Sequence, residues 1–126
     1  MTRMTAPDVK ALVMAALAAG LDCPVVSRRP DNGEAPARFV RVIDTGGTGR
    51  ADRILTVGQV TVDSYAASTG QARDLAATVE AIICDLPATT VPVANVTCTS
   101  PAELPDPDTG QARYTATYQI TTRLTE

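Results

Sequence analysis

A long stretch near the end of the chain alternates strictly between two kinds of residue. One set of alternate positions is Tyr114, Ala116, Tyr118, Ile120, Thr122 and Leu124. The positions between them are Thr115, Thr117, Gln119, Thr121 and Arg123. Because successive side chains of a β-strand point to opposite faces of a sheet, this segment has one packed face and one solvated face. That pattern predicts a strand of an antiparallel sheet, and it constrains the fold more than any other feature.

Other segments also have the composition of strands, and they are residues 24–28, 38–44, 54–66 and 91–99. In the third of these, Val60 and Val62 alternate cleanly with polar residues, whereas Leu55 and Val57 fall on the opposite parity. A bulge or kink near Gly58 would bring all the apolar side chains back to one face. We therefore expect a break in this strand at Gly58.

Two segments have apolar residues at helical spacing. The first is predicted to begin with Thr5 as the capping residue, with Asp8 three positions later, and to stop at Gly20. The second opens at Ser68 as a capping box and ends before Pro87. Its apolar stripe is Ala72, Leu75, Ala76, Val79, Ile82, Ile83 and Leu86.

The order of these elements is α-β-β-β-α-β-β. It predicts an α+β fold with a mostly antiparallel or mixed sheet and two helices packed on one face. With 126 residues and no internal repeat, residues 1–126 are expected to form a single domain.

Composition excludes several kinds of chemistry. The chain contains no histidine, which removes Ser-His-Asp and Cys-His catalysis and the commonest metal ligand. The net charge of −3 gives no global basic field for holding nucleic acid. No cofactor or metal site is expected, and the balance favours a binding or structural protein over an enzyme.

The three cysteines, Cys23, Cys84 and Cys98, lie far apart and form no Cys-x-x-Cys pair. We interpret them as small buried hydrophobic residues. Their odd number, and an N-terminus without the pattern of a signal peptide, suit a reducing compartment, so synthesis in the cytoplasm is expected. The longest apolar run, residues 12–19, is too short to span a bilayer.

Three motifs could carry chemistry, and each has a plainer interpretation. Gly46-Gly47-Thr48-Gly49-Arg50 is glycine-rich, yet it has no lysine and leads into a strand, so a mobile hairpin-like loop over residues 45–53 is favoured over a phosphate site. Asp106 and Asp108 flank a proline, and a turn is favoured over a calcium loop. Arg28, Arg29, Arg50 and Arg53 could form a basic patch. A solvated edge, or a subunit contact paired with Asp44 or Asp52, is the favoured interpretation.

Over nearly its whole length the chain resembles the tail terminator, or tail completion, proteins of long-tailed bacteriophages, particularly those of actinobacterial hosts. The first stretch that carries the resemblance is the N-terminal helix leading into residues 25–28. The second is the strand at residues 54–66, followed directly by the helix start at residues 69–76. The third is the Pro/Asp connector that ends in residues 110–120.

The resemblance implies a small α+β protein that assembles as a ring, expected to be hexameric. Such a ring would cap the head-proximal end of the tail tube, stop tube polymerisation and join the tail to the head. Its implied partners are further copies of itself, the major tail tube protein and the head-tail connector or stopper protein, and DNA would pass through without sequence-specific binding. The implied location is the tail or neck of the virion, with assembly in the host cytoplasm and no membrane partner.

Subunit and partner contacts are expected at two places. The residues are Arg28, Arg29, Asp44, Gly46, Gly47, Gly49, Arg50, Asp52 and Arg53. Two alternatives stay open at this point: a head-side neck or head-completion protein of the same kind of virus, and a small ligand-binding or enzymatic domain. The second alternative predicts a deep pocket beside the glycine-rich segment.

Overall fold

The computed structural model describes residues 3–30, 36–50 and 52–126. Its helices are α1 (Val9–Gly20), α2 (Thr69–Cys84) and α3 (Leu86–Thr89). Its strands are β1 (Val25–Val26), β2 (Phe39–Arg50), β3 (Leu55–Ala66), β4 (Val93–Cys98), β5 (Ala102–Glu103) and β6 (Ala112–Arg123). The order of the predicted elements is confirmed, with two short elements, α3 and β5, added to it.

All six strands form one mixed sheet. Its order is β1-β2-β3-β6-β4, and β5 pairs with β6. The short β1 runs parallel to β2, while the other pairs are antiparallel. Helices α1 and α2 contact each other and pack against the sheet, and the buried residues of both belong to one core. The predicted α+β class and the mixed, mostly antiparallel sheet are thus confirmed.

The core lies between the helices and one face of the sheet. Residues 40, 42, 60 and 62 are valines that supply this face from β2 and β3, and all four are buried. From β6 the core takes Ala116, Tyr118 and Ile120, which confirms the predicted packed face of that strand. The stripe of α2 is also confirmed, because Ala72, Leu75, Ala76, Val79, Ile83 and Leu86 are buried and Ile82 packs at their margin.

The predicted break at Gly58 is wrong. Strand β3 pairs with β6 without interruption from Leu55 to Ala66, so Leu55 and Val57 stay on the face away from the helices. This strand position requires glycine for a packing reason. A Cβ there would lie 2.7 Å from a methyl group of Val9, the first residue of α1. The register shifts occur instead in the neighbouring β2, between residues 44 and 46 and between 46 and 49.

The ends of α1 also differ from the prediction. Asp8, and not Thr5, is the capping residue, because its carboxylate accepts the N–H of Ala11 at 3.0 Å. Thr5 instead forms a β-bridge with Thr125. Gly20 is the last residue of α1. A Cβ at this position would lie only 2.8 Å from the side chain of Ile82 in α2, so the glycine allows the two helices to pack closely.

The cysteines are not the buried residues that we predicted. Cys84 and Cys98 are exposed, Cys23 is half-buried, and all three thiols are free. Cys84 and Cys98 are the last residues of α2 and β4, which explains their exposure, whereas Cys23 lies between α1 and β1 and packs against the margin of the core. Among the described residues, the structure contains no helix with the length and apolarity needed to cross a membrane.

Candidate functional site

A cluster of charged and aromatic side chains lies on the face of the sheet away from the helices. At its centre is Asp63 of β3, only 3% exposed. Arg41 of β2 stands directly opposite in the register, and its guanidinium lies 2.5 Å from the Asp63 carboxylate. Arg113 of β6 approaches the same oxygen at 3.8 Å. One buried carboxylate is therefore compensated by two cations from the strands on either side of it.

Tyr65 extends this cluster by two residues along β3. Its ring stacks on Phe39 with 4.3 Å between centroids, and the guanidinium carbons of Arg29 and Arg113 each lie 5.9 Å from the ring centroid. Its hydroxyl donates a hydrogen bond of 3.1 Å to Asp106. Burial raises the pKa of Tyr65, so the hydroxyl stays protonated and acts as a donor.

Asp106 is the point where the connector between β5 and β6 is attached to the sheet. One carboxylate oxygen accepts the N–H groups of Asp108 and Thr109, at 2.8 and 3.2 Å, which confirms the predicted turn. The other oxygen accepts from Tyr65 and lies 3.5 Å from Nε of Arg29. Burial favours the neutral acid, but the hydrogen bonds and Arg29 outweigh it and lower the pKa of Asp106.

These contacts join three parts of the chain that are distant in sequence. Arg29 lies in the β1–β2 connector, Tyr65 ends β3, and Asp106 lies in the β5–β6 connector. Arg29 also donates a hydrogen bond of 3.2 Å to Gln111. Ion pairs and hydrogen bonds therefore join Arg29, the end of β3 and the β5–β6 connector.

The glycine-rich segment is not the loop that we predicted. Residues up to Arg50 belong to β2 and pair with β3, as Gly46 does with Gln59 and Gly49 with Val57. We call residues 44–50 together with residues 52 and 53 the hairpin segment. Gly46, Gly47 and Gly49 have φ values of 94°, 95° and 76°, which glycine adopts at little cost and which accommodate the register shifts.

The polar side chains of the hairpin segment bond to backbone groups within it, just after it and near the N-terminus. Asp44 accepts the N–H of Gly46 at 2.9 Å. Asp52 accepts the N–H groups of Ile54 and Leu55, both at 2.7 Å, and these bonds lower the pKa of Asp52. Arg50 donates to the carbonyl oxygen of Met4. Arg53 lies between β2 and β3, and it is exposed.

The nine predicted contact residues fall into two groups. The hairpin segment holds seven of them at the end of the sheet where β3 begins, and Arg28 and Arg29 lie near the end where β3 finishes. Arg50 pairs with Thr56, which precedes Tyr65 by nine residues along β3, so at about 3.3 Å per residue roughly 30 Å separates Arg50 from the end of the strand where Arg29 lies. The four arginines therefore do not form one basic patch. Arg28 is exposed, whereas Arg29 is half-buried within the cluster.

Sequence reasoning missed Arg41, Asp63, Tyr65 and Arg113 as a group. A signal was present, because Arg41 and Asp63 are opposite charges in two strands that were both predicted. Only the strand register places Arg41 and Asp63 side by side. The register shifts lie in β2, whereas we predicted a bulge in β3 near Gly58.

The sheet leaves strand edges uncovered among the described residues. β1 pairs with β2 at Val40 and Arg41, so the outer edge of β2 continues past it into the hairpin segment. At the other side of the sheet, β4 and β5 both pair with β6 and form the opposite edge. Uncovered edges carry free backbone N–H and C=O groups, which can pair with another chain.

Four shallow grooves on the described surface lie away from the hairpin segment. One, of about 280 Å³, is lined by Arg73, Ala77, Glu80, Ser100, Pro101 and Tyr114. Another runs between β4 and β6, and the other two lie beside α3 and beside the middle of α2. The alternative of a ligand-binding domain placed its pocket beside the glycine-rich segment, and none of these four is there.

Comparison with known proteins gives a family match and a structural match, and each covers most of the chain. The family model for tail completion protein gp17 matches residues 4–123. A search of curated proteins found no match. Among solved structures, a chain from the virion of a native gene transfer agent particle is similar at 10% identity and a TM-score of 0.44, over 90% of this chain and 85% of that one.

Proposed function

The chain belongs to the tail completion protein gp17 family, and from this premise we propose that it is the tail terminator of a long-tailed phage. Because it belongs to this family, the chain is a structural protein of a phage tail. The proposal adds a ring of subunits, which we take to be hexameric, that caps the head-proximal end of the tail tube and stops its growth. The observation that carries it is the family match over residues 4–123.

The two sheet edges support a ring. The β2 edge and the β4 and β5 edge lie on opposite sides of one sheet, so a contact between them joins different surfaces of two subunits. Head-to-tail contacts of this kind produce closed rings when the rotation between subunits closes. The β2 edge is bulged at two places, which limits regular strand pairing, and we propose contacts through turns and side chains there.

Within this proposal the hairpin segment is a subunit or partner contact. Arg53 is exposed in its turn, and the apolar side chain of Ile54, next in the chain, is 64% exposed. Arg28, exposed near the opposite end of the sheet, is a second contact. For Arg29 we propose an indirect part, because it contacts Asp106 and the ring of Tyr65 and so helps to hold the β5–β6 connector against the sheet.

The charges also suit passage of DNA without sequence readout. The net charge is −3, and Arg29, Arg41 and Arg113 are engaged by buried carboxylates. We propose that the partners are the major tail tube protein on one side and the head-tail connector or stopper protein on the other. The chain would then assemble in the host cytoplasm and remain in the neck of the virion.

The test is to mix the purified chain with tail tubes and with the connector separately. We expect particles of about six subunits by mass photometry and rings at one end of each tube by electron microscopy. A chain that stays monomeric at all concentrations, with tubes present, would contradict the proposal. Binding to the connector without binding to tubes would instead identify a head-side neck protein.

A further inference from the structure

Cys98 lies on the helix-bearing face of the sheet. It is the last residue of β4 and stands directly opposite Tyr118 of β6 in the antiparallel register. Directly opposed residues in such a pair point to the same face. Because Tyr118 is buried among the core residues beneath the helices, the thiol of Cys98 lies on that side as well.

Cys84 faces the same place from α2, of which it is the last residue. One side of that helix, through Arg73, Ala77 and Glu80, lines the groove against Ser100 and Pro101. Cys84 follows Glu80 by four residues, so it continues this side by one turn. It therefore faces the end of β4, two residues before Ser100.

Helix α2 contacts strand β4. Partial burial and the neighbouring Cys84 and Glu80 raise the pKa of Cys98. Burial, followed by Cys98, Glu80 and Cys84, raises the pKa of Tyr118. The two cysteines thus meet above Tyr118, and both are exposed to small molecules in solvent.

We propose that Cys84 and Cys98 form a reversible disulfide that fastens the edge strand β4 to helix α2. The oxidant is a low-molecular-weight disulfide such as oxidised glutathione. One cysteine loses its proton and attacks the glutathione disulfide, which releases one glutathione thiolate and leaves a mixed disulfide. The second cysteine loses its proton and attacks the protein sulfur, which releases the second glutathione, so two electrons pass to the glutathione pair.

The bond would close a loop from residue 84 to residue 98 that contains α3. Closing a loop of this length restricts the unfolded chain, and we expect the melting temperature to rise by roughly 5–10 °C. Only the timing rests on the proposed function: a virion leaves the reducing host for an oxidising medium, where the bond would form. The reaction itself needs no assembly, so its failure and the failure of ring formation are separate results.

The experiment treats the reduced full chain with oxidised glutathione, blocks free thiols with iodoacetamide and digests with a protease that cleaves before aspartate. Cleavage before Asp74, Asp85 and Asp106 separates Cys84 from Cys98. We expect the fragments 74–84 and 85–105 to stay joined until dithiothreitol is added. Before alkylation the intact chain should weigh about 2 Da less than the reduced chain, and after alkylation Cys23 should carry the iodoacetamide adduct while Cys84 and Cys98 do not.

Two variants serve as controls. Cys23→Ser should leave the linked fragments unchanged, and Cys98→Ser should abolish both them and the rise in melting temperature. Three results would each overturn the proposal. They are a disulfide to Cys23, a disulfide between two chains, and separate fragments that carry glutathione on their cysteines.

Discussion

The hydroxyl of Tyr65 donates a hydrogen bond of 3.1 Å to a carboxylate oxygen of Asp106, a residue 41 positions further along the chain. The contact attaches the β5–β6 connector to the sheet at a point where Phe39 and the guanidinium groups of Arg29 and Arg113 already surround the tyrosine ring. Arg29 also approaches the same Asp106 oxygen directly, so this carboxylate has one partner on β3 and another before β2.

Removing that hydroxyl should weaken the fold. In Tyr65→Phe the Asp106 oxygen keeps Arg29 but loses a donor, and a buried hydrogen bond to a charged group contributes about 1.5–3 kcal/mol. We expect the free energy of unfolding, measured in urea, to fall by about 1–2 kcal/mol. Tyr114→Phe is the matched control and should change it by less than about 0.5 kcal/mol. Equal losses in both variants would contradict this role of the Tyr65 hydroxyl.

Asp106 should make the stability sensitive to acid. Its folded pKa is lowered, against the effect of burial, by hydrogen bonds from Asp108, Tyr65 and Thr109 and by Arg29. Its unfolded pKa is about 3.9, so the unfolded chain takes up the proton first as the pH falls. The stabilisation is therefore full above about pH 5 and is lost from about pH 4 downwards, through the folded pKa.

Urea unfolding of the chain and of Asp106→Asn at several pH values checks this expectation. The variant should be less stable at neutral pH, and the difference between the two proteins should shrink as the pH falls below about 4. A difference that stays constant over this range would show that the charge of Asp106 does not contribute.

Gly58 should not tolerate even one methyl group. A Cβ there would lie 2.7 and 3.1 Å from the two methyl groups of Val9, so Gly58→Ala must push α1 away from the sheet. We expect a loss of about 1–3 kcal/mol in the free energy of unfolding. Gly70→Ala in α2 meets nothing within 4 Å and should leave stability unchanged or raise it, by up to about 1 kcal/mol. Adding Val9→Ala should restore part of the Gly58→Ala loss.

The hairpin segment should matter for assembly and not for folding. Arg53 is exposed, so Arg53→Glu should keep the melting temperature within about 2 °C of the parent chain. If Arg53 contacts a neighbour, mass photometry should show fewer rings at the same concentration. Arg73→Glu makes the same change in charge on α2, where Arg73 is 68% exposed, and should assemble like the parent chain. Equal assembly of both variants would remove Arg53 from the contact.

Much of the fold could be predicted from patterns of residues. The alternation in β6 and the stripe of α2 each depend on periodicity within one element, and both agree with the structure. The error at Gly58 has a different origin: the reason for the glycine is Val9, which lies 49 positions earlier and packs on it from α1. Packing partners of this kind leave no periodic trace in the sequence.

The candidate site likewise has one part that the sequence predicted and another part that it did not. The turn at Asp106 was predictable because its proline, glycine and aspartates act on neighbouring backbone groups. The partners of its second carboxylate oxygen, Tyr65 and Arg29, come from other parts of the chain. The glycine-rich part of the hairpin segment was misassigned because a run of glycines is typical of loops, while pairing with β3 holds residues up to Arg50 in a strand.

The sequence by itself determined the class of fold, the order of the main elements and the residues that face the core, because these follow from the period of side chains along a helix or a strand. Only the tertiary structure decided where the bulges fall, which charges meet at Asp63 and Asp106, and that α2 contacts β4. The physical reason is register: shifting one strand by a single residue moves every side chain to the other face, and that choice depends on all the elements packed together.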